Sequence, residues 1–210
     1  MSETTKLVDG DCGRELFAAK YLRNLCSVLE KLLTGDLVRA LKVLEKASVE
    51  RRRVFIAGNG GSAATASHMA NDLLNGTRGQ NSPSVRSIAL SDNVSLITAI
   101  ANDEDYKEIF ARQLETLAEP DDVLIVFSGS GNSSNIVRAV EVAIEKKMTT
   151  VGFLGMGGGR VAKLVDVAVI VPSNEYGPIE DVHMVFNHLV TAYLCRWCGK
   201  SEEGVDDAQR

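Results

Sequence analysis

The sequence predicts an α/β fold, in which a parallel five-stranded sheet is flanked by helices and preceded by a helical extension. Five short apolar runs lack the polar alternation of strands that face water on one side. Segments with helical periodicity separate these runs. Hydrophobic residues make up 45% and charged residues 24% of the 210 residues, as in an ordinary globular domain.

The first fifty residues are predicted to form two helices. Apolar residues recur at helical spacing from Leu16 to Leu33, the break Thr34-Gly35-Asp36 follows, and a second pattern runs from Leu37 to Leu44. The apolar faces of this pair have nothing to cover within the pair, so they must pack on the main domain or on another chain. The predicted organisation is an oligomerising extension, a ligand-binding domain and a disordered tail, at residues 1–50, 51–200 and 201–210.

The apolar runs after Arg53 supply the predicted strands. They are VFIA (54–57), VRSIAL (85–90), VLIVF (123–127), TTVGFL (149–154) and VAVIVP (167–172). Helical patterns lie near residues 62–75, 93–101, 107–118, 133–146 and 160–165, and a last helix is predicted from about 180 to 198. This alternation of strand and helix predicts a parallel sheet with helices on both faces.

Charge, hydropathy and cysteine spacing argue against several classes of function for this protein. The formal net charge of −5 argues against sequence-independent nucleic-acid binding, which needs a basic face. No leader sequence is recognised, and no segment approaches the roughly 18 apolar residues of a membrane span. Cys195 and Cys198 have the spacing of a redox or zinc motif, but they continue an apolar helical pattern without a second pair, which favours helix packing. We expect a cytoplasmic protein that binds neither nucleic acid nor membrane.

Two glycine loops follow predicted strands and have the chemistry of an anion site, because glycines admit a ligand to the backbone and helix N-termini attract negative charge. They are Gly58-Asn-Gly-Gly-Ser62 and Ser128-Gly-Ser-Gly-Asn-Ser133. The second has three serines and no lysine, which fits a metabolite phosphate better than a nucleotide; the alternative is a serine-rich helix cap. The first resembles a dinucleotide loop, but the acidic residue expected about twenty positions later is displaced to Asp92.

Histidines and carboxylates form a candidate metal or acid–base site. His68 and Asp72 stand four residues apart, so they share a helix face. Glu180 and His188 would be about 12 Å apart along a continuous helix. Two imidazoles and two carboxylates suit zinc, provided that Glu180 reaches back or that another subunit supplies a ligand. The alternatives are helix capping for Glu180 and a core role for His188; His183 is predicted to be structural.

These motifs together resemble the SIS (sugar isomerase) domain family and, within it, the phosphoheptose isomerases. The resemblance rests on GNGGSAATASHMANDL, ALSDNVSLITAIANDEDYKEIFARQLE, VFSGSGNSSNIVRAVEVA and IEDVHMVFNHL, which follow the order and spacing of that family. It implies a SIS-type, flavodoxin-like sheet and a homotetramer with active sites at subunit interfaces. It also implies isomerisation of sedoheptulose 7-phosphate to D-glycero-D-manno-heptose 7-phosphate, often with zinc.

The resemblance also implies roles for individual residues. The catalytic pair would be Asp72 and His188, and one Zn²⁺ per subunit would be bound by His68, Asp72, Glu180 and His188. The implied substrate contacts are Asn59, Gly60, Gly61, Asp72, Asn102, Asp103, Ser128, Gly129, Ser130, Ser133 and Glu180.

Three positions depart from the family pattern. Asp72 replaces a glutamate, Glu180 a glutamine, and Gly129 the threonine of the usual S-T-S-G-N-S loop. Aspartate is one methylene shorter, and a misplacement of about 1 Å can cost about a hundredfold in rate. Glu180 would compensate in part, because a carboxylate holds a divalent cation more strongly than an amide does.

Two alternative functions stay open at this point. One is an isomerase for another long-chain phosphosugar, for which the three departures leave room. The other is a non-catalytic SIS regulator of the kind that binds the replication initiator DnaA. Such regulators depart from the family at the last-helix histidine, which this chain keeps as His188. The sequence therefore favours an active isomerase.

Overall fold

The computed structural model describes residues 11–78 and 83–199, with side chains from residue 13 onward. The tail predicted at residues 201–210 lies outside the described residues. Five strands form one sheet in the order β2-β1-β3-β4-β5, and every neighbouring pair is parallel. The strands are β1 Arg53–Ala57, β2 Arg86–Ala89, β3 Val123–Ser128, β4 Thr149–Leu154 and β5 Val167–Ile170. The predicted parallel five-stranded sheet is therefore confirmed.

Seven α-helices and three short 3₁₀ turns lie within the described residues. The helices are α1 Asp11–Glu30, α2 Thr34–Val49, α3 Gly61–Gly76, α4 Val94–Asp103, α5 Ala111–Leu117, α6 Ser134–Glu145 and α7 Tyr176–Trp197. The 3₁₀ turns are Tyr106–Glu108, Met156–Gly158 and Val161–Lys163.

Three of the predicted helix positions were wrong in detail. The pattern near 160–165 forms only the 3₁₀ turn Val161–Lys163. The pattern at 107–118 is divided between a 3₁₀ turn and α5. Helix α7 begins at Tyr176, several residues earlier than predicted. Pro178 does not delay its start, since the first turn of a helix needs no backbone N–H from a proline.

The sheet is buried on both faces, which explains its unbroken apolar strands. Val54 and Ile56 of β1 belong to the cluster that includes residues of α2, α3 and α7. Phe55 and Ala57 belong to the opposite cluster, which includes residues of α5 and α6. Since successive side chains of a strand point to opposite faces, a strand covered on both sides must be apolar throughout.

The two N-terminal helices pack differently. Helix α2 buries Leu37, Leu41 and Leu44 in the same cluster as the strands, so it completes the core of this chain. Helix α1 contacts α7 but leaves Phe17 and Leu22 56% and 61% exposed. Packing on the main domain therefore buries the apolar face of α2 but only part of the apolar residues of α1.

Two further expectations concern the cysteines and membrane spans. Cys195 lies on α7 and Cys198 directly follows it; Cys198 is buried, and the Cys195 thiol donates to the Gly76 carbonyl at 3.1 Å. Helix packing accounts for this pair, as predicted. Across residues 11–78 and 83–199, no helix is both long and apolar enough to cross a bilayer.

Candidate functional site

The two glycine loops meet at the carboxyl edge of the sheet, because β1 and β3 are neighbours. The Asn59 side chain donates to Asn135 Oδ1 at 2.9 Å, and the Asn135 side chain donates back to Asn59 Oδ1 at 2.8 Å. The Tyr106 hydroxyl also donates to Asn59 Oδ1, at 3.2 Å. Asn59 is thereby fixed between the first loop and the start of α6.

The serine loop presents hydroxyl donors. Ser128 Oγ accepts the Gly131 N–H at 3.0 Å, and Ser130 Oγ accepts the Asn132 N–H at 3.2 Å. A hydroxyl that accepts a backbone hydrogen bond keeps its own proton to donate. Ser133 is the N-cap residue of α6, and its side chain makes no capping hydrogen bond. Three hydroxyls and the positive end of a helix dipole are therefore available to an anion.

These groups line a cavity of about 190 Å³. Its walls are Asn59, Ser62, Phe127, Ser128, Gly129, Ser130, Ser133, Tyr176 and Glu180. Six of the predicted substrate contacts therefore lie on one cavity. Gly60 and Gly61 lie at the start of α3, next to this wall. The other three predicted contacts do not line this cavity: Asp72 lies further along α3, and Asn102 and Asp103 are exposed at the end of α4; all three stay predictions.

Glu180 enters this cavity from α7. Its carboxylate lies so close to Gly61 that a Cβ at Gly61 would be 2.7 and 2.8 Å from the two carboxylate oxygens. The carboxylate therefore lies against the N-terminus of α3, where a helix dipole favours negative charge. Glu180 thus faces the start of α3 from the second turn of α7, so the alternative in which it caps its own helix was wrong, because α7 begins at Tyr176.

A second group of polar side chains lies on α3 and α7. His68 Nε2 is 3.2 Å from Asp72 Oδ2, and the His68 and His188 rings lie edge to face with centroids 5.2 Å apart. One ligand atom from each of His68, Asp72 and His188 lies within 4.8 Å of the other two. The Asn187 side chain donates to Asp72 Oδ2 at 3.1 Å and the Asn71 side chain to Oδ1 at 3.2 Å. We call His68, Asp72 and His188 the His–Asp–His group.

The His–Asp–His group has the donor set of a divalent metal site. Tetrahedral zinc with bonds of about 2.0–2.1 Å separates neighbouring ligand atoms by about 3.3 Å, close to the 3.2 Å between His68 and Asp72. Three protein ligands with a fourth position open are typical of catalytic zinc. Glu180 does not join this group; it lies eight residues before His188 on the same helix, a rise of about 12 Å. Its role as a fourth ligand stays a prediction.

His183 is separate from both groups of polar residues. It is fully buried, with its ring centroid 5.5 Å from that of Phe127. Burial lowers the pKa of His183 to about 4, and the Leu154 carbonyl offsets part of that effect. The ring is therefore neutral at physiological pH and belongs to the core, as predicted.

Sequence reasoning missed several residues of the site. Asn135 and Asn187 hold Asn59 and Asp72, and Tyr106 and Tyr176 reach the cavity walls. Asn135 and Asn187 are both almost completely buried. One sequence signal could have indicated Asn135 and Asn187. Each places an amide side chain within an apolar helical pattern, close to a predicted site residue.

Comparison with known proteins places this geometry in a family. Residues 19–155 match the SIS domain. The phosphoheptose isomerase of Sulfurimonas denitrificans is 43% identical over 139 residues, which cover 66% of this chain and 71% of that protein. The phosphoheptose isomerase of Trichlorobacter lovleyi is 37% identical over 177 residues, covering 83% and 90% of the two chains.

Solved structures agree with the sequence comparison. The phosphoheptose isomerase of Neisseria gonorrhoeae has a TM-score of 0.79 at 29% identity, covering 86% of this chain and 97% of that one. The enzyme of Francisella tularensis has a TM-score of 0.77 at 27% identity, covering 93% and 100%. The sugar isomerase domain of an RpiR transcription factor from Sphaerobacter thermophilus, with a TM-score of 0.62 and 18% identity over 86% and 88% of the chains, shares the fold alone.

Proposed function

Because the chain belongs to the phosphoheptose isomerase family of SIS domain proteins, we propose that it converts sedoheptulose 7-phosphate to D-glycero-D-manno-heptose 7-phosphate. The observation that carries this proposal is the pairing of two features on α7. A serine-lined cavity suited to phosphate lies at its first turns, and the His–Asp–His group lies about two turns further on. The regulator alternative is not favoured, since relatives at 37–43% identity are named as isomerases.

The phosphate would bind at the serine loop. Ser128 and Ser130 keep hydroxyl protons to donate, and Ser133 stands uncapped at the N-terminus of α6. Binding energy from this non-reacting end would position the sugar carbons for the chemistry. Asn59, already held by Asn135, has a second amide proton that can reach a sugar hydroxyl.

The separation of the two features supports a long sugar. The Cα atoms of Glu180 and His188 are about 12 Å apart along the helix axis. With C–C bonds of about 1.5 Å, an extended seven-carbon chain spans on the order of 8 Å before its phosphoester is counted. An open-chain heptose phosphate therefore has the length to place its phosphate among the serines and its C1 and C2 near Asp72 and His188.

Aldose–ketose isomerisation needs a base that takes the proton from C1 of the ketose and an acid–base group that moves a proton between O1 and O2. The enediol that forms is then protonated at C2 to give the aldose. Asp72 and His188 supply the two groups, and a hydrogen bond from Asn187 orients the Asp72 carboxylate, which lies 3.2 Å from His68 Nε2. His188 is exposed and the Asp72 side chain is 19% exposed, so we expect both to exchange protons with water.

The His–Asp–His group fits a zinc ion, and we include one Zn²⁺ per subunit in the proposal. When bound, zinc would polarise the substrate carbonyl and stabilise negative charge on the neighbouring oxygens. His68 would be the residue dedicated to holding the ion, since Asp72 and His188 also have acid–base roles. Glu180 is retained as the proposed fourth ligand.

We further propose a cytoplasmic homotetramer in which α1 forms part of the subunit contacts. Among the described residues, Leu16, Phe17 and Leu22 of α1 are 38%, 56% and 61% exposed. Burial of such apolar side chains in a subunit contact would remove them from water, which is favourable. Active sites at subunit interfaces would then allow Asn102 and Asp103 to act on substrate.

Turnover of sedoheptulose 7-phosphate tests the proposal. The purified protein should produce the aldoheptose phosphate, observed by NMR, and Asp72→Asn and His188→Gln should each lower kcat by about 10²–10⁴-fold, the contribution typical of general acid–base groups. Lys42→Ala, an exposed position on α2, is the matched control and should retain full activity. Near-normal rates in either site variant would exclude the mechanism. No turnover by the wild-type protein, with zinc supplied, would exclude the reaction.

A further inference from the structure

Tyr176 forms one wall of the cavity although it is largely exposed. It is the first residue of α7, its side chain lines the cavity beside Ser128 and Ser130, and 59% of it is accessible. An aromatic residue that stabilised the core would be buried, as Phe127 is. Tyr176 is therefore placed to contact a bound molecule.

The ring of Tyr176 lies directly on Gly129. A Cβ built at Gly129 would be 2.8 Å from Cε1 and 2.9 Å from Cδ1 of the tyrosine ring, far inside van der Waals contact. The Gly129 backbone does not itself require glycine, because its φ is not positive, in contrast to Gly131 with φ of 62°. The tyrosine ring, and not the backbone, excludes a side chain at position 129.

The resemblance to the S-T-S-G-N-S loop implies a threonine at the position of Gly129. This loop therefore has one hydroxyl fewer than the resemblance implies. Tyr176 fills the space that the threonine would occupy. Within the described residues the Tyr176 hydroxyl makes no hydrogen bond, so the cavity that Tyr176 lines together with Ser128 and Ser130 has a further available donor.

Contacts from α1 fix the turn that carries Tyr176. The Tyr21 hydroxyl donates to Asp181 Oδ2 at 2.5 Å. The same hydroxyl lies 2.8 Å from the position of a Cβ at Gly177, so it packs tightly on the residue after Tyr176. These contacts with α1 hold the first turns of α7, so we expect the Tyr176 ring to need little reorganisation to bind a ligand.

We propose that Tyr176 is a substrate-binding residue that replaces the hydroxyl absent at Gly129, donates a hydrogen bond to the phosphate of the sugar phosphate, and closes that side of the cavity. This inference rests on the proposed function for the identity of the substrate. The recognised chemistry is a phosphate monoester, so inorganic phosphate serves as a simpler probe of the same contact.

Replacement of the hydroxyl alone gives the first test. Tyr176→Phe keeps the ring on Gly129, so folding is preserved. Loss of a hydrogen bond to a charged group should raise KM for sedoheptulose 7-phosphate about tenfold or more, with kcat unchanged, because the contact is made equally in ground and transition states. The dissociation constant for inorganic phosphate should rise by a similar factor. Tyr193→Phe on the same helix is the matched control and should change neither constant.

A double-mutant cycle tests whether the Tyr176 hydroxyl takes the place of a threonine hydroxyl at position 129. Gly129→Thr alone should lower kcat/KM by clashing with the ring, and Tyr176→Ala alone should lower it by removing the donor. The double variant should recover most of the lost activity, since the threonine then has room and supplies the hydroxyl. An unchanged KM and phosphate affinity in Tyr176→Phe, or additive losses in the double variant, would overturn the inference.

Phosphate binding separates this inference from the proposed function. If the wild-type protein does not turn over sedoheptulose 7-phosphate but its affinity for inorganic phosphate falls in Tyr176→Phe, the substrate assignment fails and the role of Tyr176 stands. If turnover is normal and phosphate affinity does not depend on the Tyr176 hydroxyl, the inference about Tyr176 fails and the function stands.

Discussion

Replacement of His183 by leucine tests how a buried histidine makes the stability of this fold depend on pH. The ring lies in the core against Phe127, and burial lowers its pKa from 6.5 to about 4. In the unfolded chain the ring binds a proton below about pH 6.5, whereas in the folded chain it stays neutral until about pH 4. The unfolded state therefore binds more protons between these values, and the free energy of unfolding falls as pH decreases through that window.

The size of this effect follows from the shift. At pH 5 the pH lies about 1.5 units below the pKa of His183 in the unfolded chain, and each unit corresponds to about 1.4 kcal/mol. The free energy of unfolding of the wild-type protein is therefore about 2 kcal/mol lower at pH 5 than at pH 7.5. By pH 4 the loss approaches about 3 kcal/mol. Leucine has a similar volume and no ionisable group, so His183→Leu lacks this contribution.

Urea unfolding at pH 7.5 and pH 5 measures the difference directly. When the pH is lowered from 7.5 to 5, the free energy of unfolding of His183→Leu should rise by about 2 kcal/mol relative to that of the wild-type protein. Val190→Ala is the control, since it removes buried apolar groups from the same helix and its effect should not depend on pH. A pH-independent difference between His183→Leu and wild type would show that His183 does not titrate in this way.

Three further predictions concern the phosphate, the metal and the assembly. Ser133→Ala should raise KM for the sugar phosphate and weaken inhibition by inorganic phosphate about tenfold; equal inhibition of variant and wild type would remove Ser133 from the site. A chelator should lower turnover and zinc should restore it, while His68→Ala should bind less zinc by elemental analysis; full activity of metal-free protein would contradict the metal proposal. Phe17→Glu should lower the molar mass in light scattering, whereas Lys42→Glu, at an exposed position on α2, should leave it unchanged; equal masses for Phe17→Glu and wild type would place the subunit contacts elsewhere.

The sheet could be predicted from the sequence because each strand is covered on both faces. A run such as VLIVF has no polar alternation, and in the structure all six residues of β3 are buried. The cavity was predictable in part for the same reason, since the loops after β1 and β3 must meet at one edge of a parallel sheet. The sequence order of strand, glycine loop and helix was sufficient for that inference.

Contacts between distant elements could not be predicted. Asn135 and Asn59 are 76 residues apart, and Asn187 and Asp72 are 115 apart, so their hydrogen bonds depend on how helices pack. Tyr176 was missed because α7 was expected to begin after Pro178, which left that tyrosine in a loop without an orientation. For the four proposed metal ligands, helix spacing already placed Glu180 about 12 Å from His188, and the described residues group His68, Asp72 and His188 without Glu180.

Isomerisation of sedoheptulose 7-phosphate in D₂O tests the central claim most directly. Asp72 and His188 exchange protons with solvent, so a proton moved through an enediol should be replaced in part by deuterium. We predict that NMR of the aldoheptose phosphate will show carbon-bound deuterium at C2. Product formed without deuterium at C2 would contradict proton transfer through solvent-accessible Asp72 and His188, and absence of product would contradict the assigned reaction itself.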